Sequence, residues 1–153
     1  MKHLKQNGPY CLVYSAAMVL DVWPSEIHES IGHDGTAEVF DSKNKTNRMR
    51  GVHICEILDF ARTMGNFFSF VEYDPCISQR DGCDVHHVIP KHERHKRFLN
   101  HIWGNRAILI GSLPTGAGHA VAWDGRIVYD PRGGIYMLSS DSFIPIYAFV
   151  RII

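Results

Sequence analysis

Gln6, Cys11, His119 and Asp130 are the residues whose types and order could perform chemistry. Gly8 and Pro9 interrupt regular structure just before Cys11. The run from Leu12 to Leu20 that follows is apolar or small and rich in helix formers. Cys11 is therefore expected in the first turn of a helix, where unpaired amide N–H groups and the positive end of the helix dipole favour a thiolate over a thiol. A thiolate nucleophile needs a base and the base needs an orienting acid. Gly118-His119-Ala120-Val121-Ala122-Trp123 supplies an imidazole, and Val128-Tyr129-Asp130-Pro131 a carboxylate. Asp124-Gly125 between them is suited to a two-residue hairpin turn, and counting from that turn pairs His119 with Asp130 across adjacent strands. Gln6, five residues ahead of Cys11, is placed to add its side-chain amide to the Cys11 backbone N–H as oxyanion donors. Each feature alone has a plain structural explanation: a buried small residue, a satisfied core histidine, an Asp-Pro turn. Their joint occurrence, on the elements a Cys-His-Asp mechanism requires, is what points to catalysis.

These residues need a scaffold, and the pattern around them supplies one. The first helix is expected to end near Asp21 or Val22, ahead of Trp23-Pro24, and Pro24-Ser25-Glu26 to open a second that closes at Gly32. His33 then reads as a turn residue, and the polar, basic stretch Asp41 to Arg50 as an exposed loop that could contact substrate. Ile54, Ile57, Leu58 and Ala61 mark a third helix from about His53 to Met64, with Cys55 as an ordinary packing or surface residue. Phe67 to Tyr73 is strand-like, and Phe98, Leu99, Ile102 and Trp103 mark a fourth helix ending at Gly104. Strand-like runs follow at Ala107–Leu113, His119–Trp123, Arg126–Tyr129, Ile135–Leu138 and Ile146–Ile152, separated by short turns. Helices first and closely spaced strands afterwards describe a single α+β domain over residues 1–153, its N-terminal helices packed on a C-terminal twisted antiparallel sheet.

Composition bounds the partners. Sixteen basic residues balance sixteen acidic ones, so no overall field draws in nucleic acid or an anionic membrane. No run has the length of a membrane span, and Gln6 to Pro9 breaks the only stretch that resembles a secretory signal. Four scattered cysteines, Cys11, Cys55, Cys76 and Cys83, do not form a disulfide framework, which points to a reducing cytoplasm. Cys76 and Cys83 with two of His86, His87, His92 and His95 could close a tetrahedral zinc site, although six residues separate the cysteines where two to four are usual. A cysteine hydrolase itself needs no cofactor or metal.

At Gln6, Cys11 and its helix, Gly118-His119-Ala120-Val121, and Val128-Tyr129-Asp130-Pro131-Arg132-Gly133, the chain resembles the papain-like cysteine peptidase superfamily. It is most similar to the bacteriocin leader peptidases that cut after a double glycine, and looks like small stand-alone members encoded in phage or bacterial genomes. Leu12 stands where those peptidases usually carry glycine. The resemblance implies a papain-like α+β fold, with Cys11 as nucleophile, His119 as base, Asp130 as orienter and Gln6 as oxyanion donor. It implies a peptide or protein substrate and a covalent thioester intermediate. The same triad serves an acyl transferase when an amine replaces water, and a binding domain could keep the fold without the chemistry.

Overall fold

The computed structural model describes residues 1–74, 89–139 and 141–152. Among them run four helices, α1 (Cys11–Leu20), α2 (Pro24–Ile31), α3 (Ile54–Thr63) and α4 (Lys91–Ile102). Eight strands accompany them: β1 (Glu38–Asp41), β2 (Thr46–Met49), β3 (Phe68–Glu72), β4 (Ala107–Ser112), β5 (Gly118–Trp123), β6 (Val128–Tyr129), β7 (Ile135–Tyr136) and β8 (Ile144–Arg151). Six strands form one antiparallel sheet in the order β3-β8-β4-β5-β6-β7, so the chain is α+β.

Helix α1 is the buried centre. Val13 and Ser15 to Leu20 are all buried, so it is covered around most of its circumference rather than along one stripe. Ala16 and Ala17 permit close approach to the sheet, and α1 packs with Ile27 of α2, Ile57, Phe60 and Ala61 of α3, and Ile108, Ala122 and Phe149 of the sheet. Its C-terminal end is tied down by arginines from sheet strands and their flanks. Arg151 Nη1 donates to the Val19 carbonyl at 2.9 Å, and Arg106 pairs with Asp21, the left-handed residue (φ +60°) that ends the helix.

The fourth helix departs from the expected arrangement. It packs on the opposite face through Phe98 and Ile102, against Leu109, Val121, Trp123, Ala148 and Phe143, so the sheet carries helices on both faces. It also begins at Lys91, well before the apolar residues that mark it, because its first two turns are polar. Asp41 to Arg50 is likewise no plain loop. β1 and β2 form an exposed hairpin there, Glu38 opposite Met49 through Asp41 opposite Thr46. Asp41 closes its turn by accepting from the Lys43 N–H (3.0 Å) and the Asn44 side chain (2.7 Å), and Lys45 takes φ +51°. With both faces solvated, the hairpin has no burial alternation to betray it.

Gly111 sits where the β4–β8 register shifts, and a Cβ built on it meets the Ile144 carbonyl oxygen at 2.1 Å and the Phe143 ring at 2.8 Å. Gly111→Ala is expected to lower the unfolding free energy by about 2 kcal/mol or more, seen as a lower urea midpoint with an unchanged slope.

Candidate active site

Tyr10, the residue before α1, provides no side-chain cap, so the first N–H groups of the helix are not taken up by the usual hydroxyl or carboxylate. Cys11 opens the helix there, half-buried. Strand β5 runs alongside α1, and the Ala120 and Leu12 backbone N–H groups reach the Cys11 sulfur. His119, one residue before Ala120, lies beside the same sulfur, near enough for each group to shift the other's protonation.

Asp130 meets His119 by a different register from the one expected. The β5–β6 connection is a four-residue turn, Asp124 to Ile127, closed by Asp124 Oδ1 accepting from the Arg126 and Ile127 N–H groups at 2.9 Å each. Ala122 therefore pairs with Tyr129 and Trp123 with Val128, a frame two residues away from direct His119–Asp130 pairing. An even slip keeps a residue on the same side of its strand. Asp130, immediately after β6, still accepts from His119 Nε2 through Oδ1 at 2.9 Å. With Nε2 engaged, Nδ1 is the ring nitrogen left to face Cys11. Both His119 and Asp130 are 6% exposed, so the pair is nearly dry and its charges interact strongly.

Asp130 has further partners. Its Oδ1 also accepts from the Arg132 N–H at 2.8 Å, and its Oδ2 from the Tyr136 hydroxyl at 3.1 Å. Its own N–H bonds the Gly134 carbonyl at 2.8 Å, with Gly133 at φ +120° making the turn. On the other side, His3 Nε2 lies 2.7 Å from the Asp130 carbonyl oxygen and the Gln6 N–H donates to the Pro131 carbonyl at 2.7 Å. The N-terminal arm thus clasps the Asp130 turn.

The electrostatics follow from these contacts. Burial works against the Cys11 thiolate, but hydrogen bonds from His119 and the Ala120 N–H, together with the imidazolium charge, outweigh it and hold the thiol below its ordinary range. Burial likewise works against the imidazolium, yet Asp130 and Cys11 raise His119 to about 9. Burial opposes the Asp130 carboxylate too, and is overcome by His119, Arg132 and Tyr136, which keep it below the usual carboxylate value. Burial first and the Asp130 charge second push Tyr136 upward, so its hydroxyl stays protonated and can only donate to the carboxylate. The three shifts act in one direction, each favouring the charged member of a line of thiolate, imidazolium and carboxylate.

Cys11, His119 and Asp130 are therefore brought together, and Gln6 joins them through its backbone N–H at the Pro131 carbonyl. The Gln6 Nε2 donates to the Gly8 carbonyl at 2.8 Å, which leaves one amide hydrogen for another acceptor. Tyr136, Arg132 and His3 were not anticipated. Tyr136 had a signal, since a tight turn after Asp130 returns the chain and brings the residue six further on back to it. His33 is more than a turn residue: its Nε2 lies 2.8 Å from Glu56, which also bonds Arg50 at 3.0 Å and anchors the start of α3 through the His53 N–H. Cys55 is exposed. Of the suggested zinc ligands, Cys76, Cys83, His86 and His87 lie outside the described residues, while His92 and His95 are on α4. Among the described residues no three acidic, histidine or cysteine side chains group as a metal site, and no helix is long and apolar enough to cross a membrane.

No family model matches the chain, and no curated protein matches it.

The raised His119 value has a checkable consequence. The imidazolium stabilises the fold fully below about pH 6.5, and that contribution is lost as pH rises through about 9. His119 ring resonances are expected to titrate near 9 by NMR and to fall toward the ordinary histidine value in Asp130→Asn. A native midpoint near 6.5 would contradict the ion-paired site.

Proposed function

We propose that the protein is a cysteine peptidase or related amide hydrolase acting through Cys11, His119 and Asp130, a papain-like enzyme in fold and mechanism. The observation that carries the reading is the unbroken chain of contacts from the Cys11 sulfur to His119 and from His119 Nε2 to Asp130 at 2.9 Å. The site is assembled from the start of α1 and, more than a hundred residues later in the chain, from β5 and the turn after β6. A buried imidazole that served packing alone would not need a thiol on one side and a carboxylate on the other.

The reaction follows from the protonation states. The Cys11 thiolate attacks the carbonyl carbon of a peptide or protein substrate, forming a C–S bond and an oxyanion. The N–H groups at the start of α1, with the remaining Gln6 amide hydrogen, are the candidate donors to that oxygen. Collapse breaks the C–N bond, and the His119 imidazolium gives its Nδ1 proton to the departing amine. Water then attacks the thioester as His119 takes its proton, and the C–S bond breaks to release the carboxylic product and restore the thiolate. Asp130 keeps the ring oriented throughout, and Tyr136 keeps Asp130 oriented. A nucleophilic thiol of this kind works in a reducing compartment such as the cytoplasm.

The test is acylation with an activated peptide ester, followed by intact-mass detection of the adduct on Cys11 and its release by water or an added amine. Acyl-enzyme is expected in the native protein and absent in Cys11→Ala. His119→Ala should slow turnover by about a thousandfold. Native activity should extend well below the pH of an ordinary thiol and decline as pH passes about 9. Release by amine in preference to water would assign an acyl transferase. Failure of Cys11 to acylate, with iodoacetamide reactivity of an ordinary thiol, would refute the proposal.

A further inference from the structure

A cleft of ≈ 170 Å³ opens beside Cys11, between the start of α1 and the base of the β1–β2 hairpin. Because Cys11 itself lines it, whatever occupies it lies next to the nucleophile. We infer that this cleft receives a lysine or arginine side chain of the substrate, its stem against Tyr10, Leu12, Val13, Met49 and Val52 and its charged end at Asp34. The inference rests on the hydrolase reading and adds its substrate class.

The wall is apolar apart from its rim. Besides Cys11, Asp34 is the one charged side chain among the lining residues. Its carboxylate is fixed rather than free to swing, since Oδ1 accepts from both the Thr36 N–H (2.9 Å) and the Thr36 hydroxyl (2.6 Å). Those two bonds keep it ionised, below its ordinary value, and leave Oδ2 for a guest. Nearby cations do not cancel it. Arg48 is paired with Asp41 at 3.1 Å, and Arg50 and His33 with Glu56 at 3.0 Å and 2.8 Å, while His28, packed on the Tyr10 ring, is a further titratable neighbour. Room is secured by backbone. Gly51 bonds the Gly35 carbonyl at 2.9 Å, and a Cβ built on Gly51 meets no atom within 4 Å, so this edge of the cleft is open.

An apolar passage ending in one carboxylate matches a side chain with an aliphatic stem and a cationic tip. A purely aliphatic guest would gain the wall but not the charge, and an acidic one would be repelled. Asp34 is exposed, so its contribution to selection is modest, about fivefold.

The test uses peptidyl acyloxymethyl ketones that differ only in carrying lysine, norleucine or glutamate, either at the residue bearing the ketone or at the one before it. The Cys11 thiolate bonds the ketone's methylene carbon and a carboxylate leaves with the C–O electron pair, so labelling is read by intact mass. At one of the two positions lysine is expected to label about fivefold faster than norleucine, with glutamate slowest. In Asp34→Asn the lysine-to-norleucine ratio should fall to about one. In Met49→Lys, at a half-exposed position on the hairpin, glutamate should overtake lysine. Equal lysine and norleucine rates at both positions, or a ratio unchanged in both variants, would overturn the inference. Low-pH iodoacetamide reactivity that depends on His119, measured on the same samples, separates the two levels. If it persists without lysine selection, the basic-residue cleft alone is wrong. If it is missing, the hydrolase reading fails and the cleft's role goes with it.

Discussion

The burial of α1 against β5 is the constraint on which the rest of the molecule depends. A helix covered around most of its surface cannot slide or roll without opening voids, because protein interiors are close-packed. Ala16 and Ala17 set its distance from the sheet, and Arg151 and Arg106 hold its far end. The near end is then placed by geometry alone, and that end is Cys11. The same packing that stabilises the fold therefore determines how closely the sulfur approaches His119. Core packing and the placement of Cys11 thus depend on the same residues.

Against this fixed frame, the polar chain through His119 and Asp130 has to survive in a nearly dry setting. Isolated, either charge would be costly to bury and would neutralise instead. Together with the Cys11 thiolate they form an alternating series of negative, positive and negative groups, and each member shifts its neighbour toward the charged form. Two more of the carboxylate's lone pairs are taken by Arg132 and Tyr136. Tyr136 is a positioning residue in this scheme: it reaches the sulfur only through Asp130 and His119. The N-terminal arm belongs to the same support, since His3 and Gln6 bind the backbone of the Asp130 turn. Residues ahead of Cys11 thus help hold the Asp130 turn.

Much of this was legible in the sequence where a single physical rule dominated. Helices α1, α2 and α3 declared themselves through apolar spacing and their Pro, Gly and Asp boundaries, and the observed ends fall within a residue or two of those signals. The site residues declared themselves through order and neighbourhood: cysteine at a helix start, histidine in a strand after glycine, aspartate before proline. The papain-like resemblance was an implication of those residues and has no matching family model behind it. What stayed hidden depended on three-dimensional choices. The β5–β6 register turned on whether Asp124 would cap a two- or a four-residue turn, and its side chain selected the longer one. The face chosen by α4 could not be read, because Phe98 and Ile102 make an apolar stripe that would fit either side of the sheet. The hairpin left no trace in hydropathy because it buries nothing.

That last case bears on how the molecule divides its tasks. Residues that align Cys11, His119 and Asp130 lie in the α1–β5 core and the turn after β6, where displacement would cost packing or leave a buried charge unpaired. Residues that border the cleft from the other side, Asp34, Gly35, Met49 and Gly51, lie in or beside a solvated hairpin joined to the body through its base and through the His33–Glu56–Arg50 contacts. A substitution at Met49 changes the surface of the cleft without touching the support of Cys11, His119 or Asp130. The hairpin can therefore vary in charge and shape while the triad stays put. On the proposed reading, such a division lets the hairpin change what is accepted while the core keeps the reaction.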